Sequence, residues 1–118
     1  MSAELVQLRS FYARPGLLLL ARPGDVAAGC VGLRSLGGAV GEVRRLFVRP
    51  AHRSSGLARQ LMDRLLSESR AAQLRRLVLN TLPTMTHAGA LYAGYGFVPT
   101  EPYDEEPTDG VVYLALDL

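Results

Sequence analysis

Arg53-Ser54-Ser55-Gly56-Leu57-Ala58 is the stretch that decides the fold, because it joins two segments of different character. Residues 43–48 before it form an apolar, strand-like segment, and residues 57–72 after it have the pattern of a helix. The free N–H groups of a first helical turn point toward anions, and the helix dipole favours the same charge. With Arg53 as a cation at the front of the turn, the stretch predicts a site for a phosphorylated ligand.

The segments around this turn predict a β-α-β unit. Leu57, Leu61 and Leu65 recur at the spacing of one buried helical face. Residues 76–82 form an apolar strand that Pro83 closes. Two strands joined through such a helix are expected to form a right-handed parallel crossover.

The remaining elements are predicted from the same signals of periodicity and turn residues. They are a short helix over residues 3–13, strands over 17–22, 26–33, 42–48, 97–100 and 111–117, a Gly-rich turn over 35–41, and a second helix capped by Thr84 or Thr86 and running through Tyr95. This order predicts an α/β fold with a mixed sheet, in which mostly antiparallel front strands are followed by β-α-β-α-β.

Composition places the chain among small globular domains. With 118 residues and 48% hydrophobic residues, it is long enough for one domain, residues 1–118, with a single core. The lone Cys30 excludes an internal disulfide, and the first residues do not resemble a secretory signal. The longest apolar run, residues 17–21, is too short to span a bilayer. We therefore expect a cytoplasmic protein without a membrane partner.

Charge is unevenly distributed although the net charge is only +2. All 13 Lys and Arg residues are arginine, which indicates a bacterial-like composition, and nine of them fall within residues 44–76. Residues 101–109 contain five carboxylates and no basic residue. The centre suits a polyanion and the later segment suits a cation, while ordinary solvated faces are the alternative for both.

Three signatures in chain order resemble the GNAT acetyltransferase superfamily. Arg53, Gly56 and Ala58 match the Arg/Gln-x-x-Gly-x-Gly/Ala turn that binds the pyrophosphate of acetyl-CoA in that family. Residues 90–97, ALYAGYGF, match its LYxxxGF signature, and residues 46–50, LFVRP, are typical of the strand before the turn. The resemblance covers about residues 17–118 and implies an acyl-CoA N-acyltransferase fold with two parallel strands splayed around the cofactor.

The resemblance implies acetyl-CoA as the co-substrate and assigns backbone groups to it. In the family, the pantetheine arm lies in the gap between the splayed strands, and the N–H that corresponds to Leu46 polarises the thioester carbonyl. The cofactor-binding residues expected on this basis are Leu46, Phe47, Val48, Arg53, Ser54, Ser55, Gly56, Leu57 and Ala58. No metal is expected, because nothing in the sequence has metal-ligand spacing.

Tyr92 resembles the general acid of the family. A phenol, with a pKa of about 10 against about 8.5 for a thiol, can protonate the leaving thiolate when the C–S bond breaks. The alternative is core packing, since Tyr92 also lies at helical spacing with Ala88 and Tyr95.

Glu42 is the candidate general base, since some family members use a Glu at this position directly or through a water. Strand alternation is expected to place Glu42, Arg44 and Leu46 on one face. The alternative for Glu42 is a surface carboxylate paired with Arg44 or Arg45, and His87 or a water could replace it as the base.

The acceptor side departs from the family pattern. The N-terminal strand and helix of the usual fold are expected to be missing, and a second copy of the chain could cover the exposed side as a homodimer. Tyr103, Asp104, Glu105 and Glu106 fall in the segment that borders the acceptor mouth in the family. Their charge predicts a cationic acceptor, either a small amine or a peptide.

The function implied is an N-acetyltransferase that moves an acetyl group from acetyl-CoA to a primary amine by direct attack in a ternary complex. One alternative is a non-catalytic acyl-CoA-binding or sensor module with the same fold. Another is an RNA-directed acetyltransferase or binder that uses the Arg-rich centre, which the lack of an aromatic-studded basic strand disfavours.

Overall fold

A mixed sheet forms the centre of the computed structural model, which describes residues 4–8, 16–53, 55–104, 107 and 109–118. In chain order, its elements are β1 (Glu4–Leu8), β2 (Leu17–Arg22), β3 (Gly29–Gly37), β4 (Val40–Val48), a 3-10 turn (Pro50–His52), α1 (Leu57–Ala71), β5 (Arg76–Thr81), α2 (Thr86–Gly94), β6 (Val98–Pro99) and β7 (Val112–Asp117). Within these ranges the seven strands lie in the order β1-β2-β3-β4-β5-β7-β6. The predicted α/β class is confirmed. Neither helix of the described chain is long and apolar enough to cross a membrane.

The first described element is a strand where the sequence analysis predicts a helix. β1 pairs antiparallel with β2, from Glu4 opposite Arg22 to Leu8 opposite Leu18. A short isolated helix is marginal, whereas pairing with an available sheet edge satisfies the backbone groups of the segment. The helix prediction is therefore wrong for residues 4–8, and its other positions, residues 3 and 9–13, lie outside the described residues. The strand expected to be missing is present as β1.

Two other local predictions are corrected by the structure. The turn between β3 and β4 is shorter than predicted, because β3 extends to Gly37 and β4 begins at Val40. Helix α2 begins after Met85, and no side chain caps it, so the predicted threonine cap is wrong.

The central feature of the sheet is a fork between β4 and β5. These strands pair in parallel only where residues Val40, Gly41 and Glu42 lie opposite residues 76–78. Beyond Glu42, β4 continues to Val48 beside β3, while β5 continues to Thr81 beside β7. The facing edges of the two strands are therefore left without a strand partner over the rest of their described length.

A β-bulge bends β4 just past the fork. Arg44 lies opposite Gly32, and Phe47 lies opposite Cys30, so two residues of β4 face one residue of β3 between those pairs. Arg45 adopts a positive φ of 57° at this point. Such a bulge bends one strand and increases its local twist, which helps β4 diverge from β5.

The core lies between the sheet and α1. Leu61 and Leu65 of α1 are fully buried, and α2 packs on the same side, where the hydroxyl oxygen of Tyr95, just after α2, lies 3.0 Å from the Arg59 carbonyl oxygen. Gly41 leaves room for the core side chains of neighbouring residues, since a Cβ there would lie 2.7 Å from Leu33 Cδ1. No helix among the described residues packs on the other face of the sheet, which we call the helix-free face.

Candidate active site

The turn before α1 has the geometry expected of an anion site. Gly56 is the N-cap residue at φ 85°, and no side chain caps the helix or places an acid in its first turn. Within the described chain, the first backbone hydrogen bond of α1 runs from Gln60 N to Gly56 O, so the N–H groups before Gln60 remain available. A Cβ on Gly56 would meet nothing within 4 Å, so the space in front of the turn is open.

Two side chains of the turn form hydrogen bonds with nearby backbone carbonyl groups. The Ser55 hydroxyl donates to the His52 carbonyl oxygen. Arg53 donates from Nε to the Val48 carbonyl oxygen at 3.1 Å, and its guanidinium lies 6.0 Å from the centre of the Phe47 ring. Arg53 therefore lies at the junction of β4 and the turn. Ser54 lies outside the described residues.

The predicted cofactor strand lies along the open side of the fork. Leu46 and Val48 pack partly against the core, and Phe47 is exposed. Phe47 and Val48 pair with β3 on one edge, which leaves the other edge facing the gap toward β5. The expectation that Leu46 shares a face with Glu42 is wrong, because the bulge at Arg45 reverses the alternation and directs Leu46 to the core.

Tyr92 is buried in α2 and packs against Phe97, with 5.7 Å between the ring centres. Burial raises the pKa of the Tyr92 phenol above its ordinary value of 10.0, which keeps the phenol protonated at neutral pH. Among the described residues, no group is hydrogen-bonded to its hydroxyl. The ring thus has the packing role that the sequence allows, while its hydroxyl remains available as a proton donor.

Glu42 is buried, with 4% of its surface exposed, on the helix-free face at the last residue of the β4–β5 pairing. Its Oε2 accepts a hydrogen bond of 2.7 Å from the Tyr103 hydroxyl. Its Oε1 lies 3.1 Å from Arg34 Nη2 and 3.5 Å from Arg44 Nε. Pairing with Arg44 agrees with the alternative of a paired carboxylate, but burial excludes a surface position.

Tyr103 connects Glu42 to the far side of the fork. Its hydroxyl accepts a hydrogen bond of 3.2 Å from Asn80 Nδ2, and its ring meets the edge of Tyr113 at 5.3 Å. Burial, followed by the hydrogen bond to Glu42, raises the pKa of Tyr103 above its ordinary value of 10.0. Residues from β4, β5 and the β6–β7 loop therefore meet at one point.

The structure describes only part of the acidic loop, which comprises residues 101–109. The Tyr113 hydroxyl donates to Asp104 Oδ2 at 3.2 Å, so this carboxylate already has a donor. Glu105 and Glu106 lie outside the described residues. His87 is exposed in the first turn of α2.

Arg34 and Asn80 are site residues that the sequence analysis missed. Arg34 lies directly opposite Glu42 in the β3–β4 register, and Asn80 lies two residues beyond Val78, the β5 partner of Glu42. The strand register, had it been assigned from the sequence, would have found both. Within the described residues, no group of three or more His, Cys, Asp or Glu side chains is placed to hold a metal ion.

Comparison with known sequences decides the family. The sequence model of the acetyltransferase (GNAT) family matches residues 2–97. The chain belongs to the GNAT acetyltransferase family. This GNAT protein is 36% identical over 118 residues to an uncharacterised N-acetyltransferase of Schizosaccharomyces pombe, covering 98% of the chain and 72% of the relative. It is also 36% identical over 112 residues to the IAA acetyltransferase of Azospirillum brasilense, covering 90% of the chain and 72% of that relative.

Solved structures agree with this family assignment. A Klebsiella pneumoniae protein assigned to the acyl-CoA N-acyltransferases superposes with a TM-score of 0.82 at 26% identity, covering 87% of this GNAT chain and 72% of the other. A GNAT family acetyltransferase from Elizabethkingia anophelis with acetyl-CoA bound superposes with a TM-score of 0.80 at 18% identity, covering 99% of both chains. The predicted GNAT fold is therefore confirmed.

Proposed function

We propose that this GNAT protein is an acetyl-CoA-dependent N-acetyltransferase acting on a primary amine by direct attack in a ternary complex. The observation that carries the proposal is the β4–β5 fork, which ends beside the uncapped first turn of α1. The Elizabethkingia relative of similar fold has acetyl-CoA bound. The fork and the turn supply free backbone groups for an extended ligand that carries phosphates at one end.

The residues present fit acetyl-CoA on two independent grounds. The turn at Gly56 has open space and available N–H groups, as a diphosphate requires. The unpaired edge of β4 from Leu46 to Val48 can pair with the amides of a pantetheine arm, as an added strand would. Arg53, at the junction of the two, supplies a cation, and Ser54, Ser55, Leu57 and Ala58 complete the proposed cofactor set.

The proposed chemistry assigns three protein groups to one acyl transfer. Acetyl-CoA supplies the activated thioester, from which the amine nitrogen takes the acetyl group as a new C–N bond forms and the C–S bond breaks. The Leu46 N–H stabilises the developing oxyanion, and Glu42, directly or through a water, receives the proton that the amine loses. Tyr92 donates its proton to the departing thiolate.

The activity is tested by release of free thiol from acetyl-CoA in the presence of a panel of amines and peptides. Amine-dependent release supports the transferase. A sensor module would instead bind acetyl-CoA in calorimetry without amine-dependent turnover. A salt-dependent mobility shift with tRNA, in the absence of acetyl transfer to small amines, would favour the RNA-directed alternative.

The helix-free face suggests an assembly. Leu18 and Leu20 of β2 lie there, opposite Gly32 and Cys30 of β3, and are only half-buried. We propose that a second copy of the chain covers them in a homodimer and borders the acceptor side. Light scattering at tens of micromolar should show the dimer, and a monomer alone would contradict it.

A further inference from the structure

Two arginines share one buried carboxylate beside the fork. The Glu42 side chain is 5% exposed, and its Oε1 faces Arg34 and Arg44, whose side chains are 46% and 41% exposed. The nitrogen–oxygen distance is 3.1 Å from Arg34 Nη2 and 3.5 Å from Arg44 Nε. Oε1 itself has no hydrogen-bond partner with good geometry among the described residues.

The arrangement leaves positive charge facing solvent. Two guanidiniums and one carboxylate sum to one excess cation, and the anion is the buried member of the group. Within the described chain, neither Arg34 nor Arg44 has another charged or hydrogen-bonding partner, so most of each five-donor guanidinium remains free. A pair of guanidiniums with unused donors is a favourable binding site for a planar oxyanion.

The position of the pair connects it to the acceptor. Glu42 marks the last pairing of β4 with β5, and Arg44 comes just before the bulge, so both adjoin the proposed site of acetyl transfer. Helices α1 and α2 occupy the face of the sheet opposite this arginine pair. An acceptor that approaches the fork from the helix-free face therefore passes Arg34 and Arg44.

We propose that Arg34 and Arg44 bind a carboxylate of the acceptor, so that the acceptor is an amine that also carries a carboxylate. This inference rests on the proposed function and names the substrate class. The two ends of such an acceptor complement the site, because its carboxylate meets the guanidiniums while its amine meets Glu42. Arg34 and Arg44 then determine specificity without taking part in proton transfer.

The charge of the acidic loop favours a different acceptor, a cation. The described part of the loop supports a cationic acceptor less well than the arginine pair supports one with a carboxylate. Asp104 is already bonded to the Tyr113 hydroxyl. Glu101 and Asp109 are exposed, and among the described residues neither forms a hydrogen bond or an ion pair with the residues of the fork. The arginine pair, by contrast, touches the buried carboxylate at the fork itself.

The test compares acceptors that differ only in the carboxylate. Thiol release from acetyl-CoA is measured with L-phenylalanine and phenethylamine, and with β-alanine and ethylamine. Hydrogen bonds to a charged group contribute about 1.5–3 kcal/mol, so kcat/KM is expected to favour each carboxylate by about 10- to 100-fold. In Arg34→Gln and Arg44→Gln this preference should fall toward one.

Two control variants separate the loss of carboxylate binding from a general loss of structure. Arg34→Lys keeps the charge that protects buried Glu42 but loses the planar fork, and an intermediate preference is expected. Arg75→Gln removes an exposed arginine next to the start of β5, at the opposite end of that strand from Asn80, and should leave the preference unchanged.

The outcomes distinguish this inference from the proposed function. Turnover of both members of each pair at equal kcat/KM overturns the inference and leaves the transferase standing. A preference for the diamine putrescine over every carboxylate overturns it in favour of the acidic loop. If no acceptor releases thiol, the proposed transferase activity is wrong, and calorimetry with N-acetyl-L-phenylalanine then tests the arginine pair alone. Binding that Arg34→Gln weakens at least tenfold supports the pair as a carboxylate site. Undetectable binding to the wild-type protein overturns it.

Discussion

The Tyr103 hydroxyl donates a 2.7 Å hydrogen bond to Glu42 Oε2, although 61 positions separate the two residues. Asn80 donates to the same hydroxyl at 3.2 Å, so the phenol connects β5 with the carboxylate of β4 on the helix-free face. A buried carboxylate needs such partners, because removing one leaves its charge poorly compensated. Tyr103, which the sequence analysis assigns only to the acceptor mouth, therefore also positions the candidate base.

Tyr103→Phe should lower the free energy of unfolding by about 1–3 kcal/mol, since a buried acceptor loses its donor. The pKa of Tyr103 is raised in the folded state, so its contribution to stability is complete below the unfolded pKa of about 10 and is lost as pH rises above it. Denaturant unfolding at several pH values should show the difference between wild type and variant shrinking above pH 10. A constant difference would contradict this origin.

The matched control for that substitution is Tyr95→Phe. Tyr95 also donates to a carboxylate, Asp63, at 2.5 Å, but on α1 and on the other face of the sheet. Both variants should lose stability, while only Tyr103→Phe should alter the pH dependence of kcat through Glu42. Equal pH–rate profiles for all three proteins would reduce Tyr103 to a structural residue.

Gly56→Asp should abolish detectable binding of acetyl-CoA, because it adds bulk and negative charge where the diphosphate is proposed to bind. Gly37→Asp is the control, since Gly37 has nearly the same φ, 84° against 85°, and equally open space at the end of β3, before the turn to β4. Both substitutions carry similar backbone strain. Calorimetry should show binding lost only in Gly56→Asp, and unchanged affinity there would refute the cofactor assignment.

Tyr92→Phe should leave the affinity for acetyl-CoA nearly intact and lower kcat by about 100-fold, the scale of general-acid catalysis. Phenylalanine preserves the contact with Phe97, so the packing role survives the change. Tyr95→Phe, three residues further on at the C-cap of α2, should retain turnover. Wild-type rates in Tyr92→Phe would show that Tyr92 serves packing alone.

Glu42→Gln should depress the rate most at low pH, where the acceptor amine is protonated and needs a base. The control is His87→Gln, because His87 is exposed and lies in the first turn of α2. We expect the pH–rate profile to change only in Glu42→Gln. If His87→Gln alters the profile instead, the base is His87, and if neither does, a water fills this role.

The strand, turn and helix that form the proposed cofactor side of this GNAT domain are predictable from the sequence because their signals are local. The leucine spacing in α1 and the glycine of the turn lie within a few residues of one another. Together they predict a helix over residues 57–72, and the observed helix is Leu57–Ala71. The strand before the turn was also predicted, since short apolar runs bounded by turn residues favour strands.

Other features depended on contacts that no local pattern specifies. The spacing of the apolar residues predicts a helix over residues 4–8, and pairing with β2 makes them a strand instead. Strand alternation predicts a shared face for Glu42 and Leu46, but the bulge at Arg45 reverses that alternation. Each depends on the register between strands, which the sequence of one strand does not contain.

The sequence by itself determined the family, the turn that begins α1 and the candidate acid Tyr92, because each is carried by neighbouring residues with fixed spacing. Only the tertiary structure brought Glu42 together with Arg34, Arg44 and Tyr103. The physical reason is that burial of a charge is compensated by partners in space, and the sheet gathers those partners from distant parts of the chain.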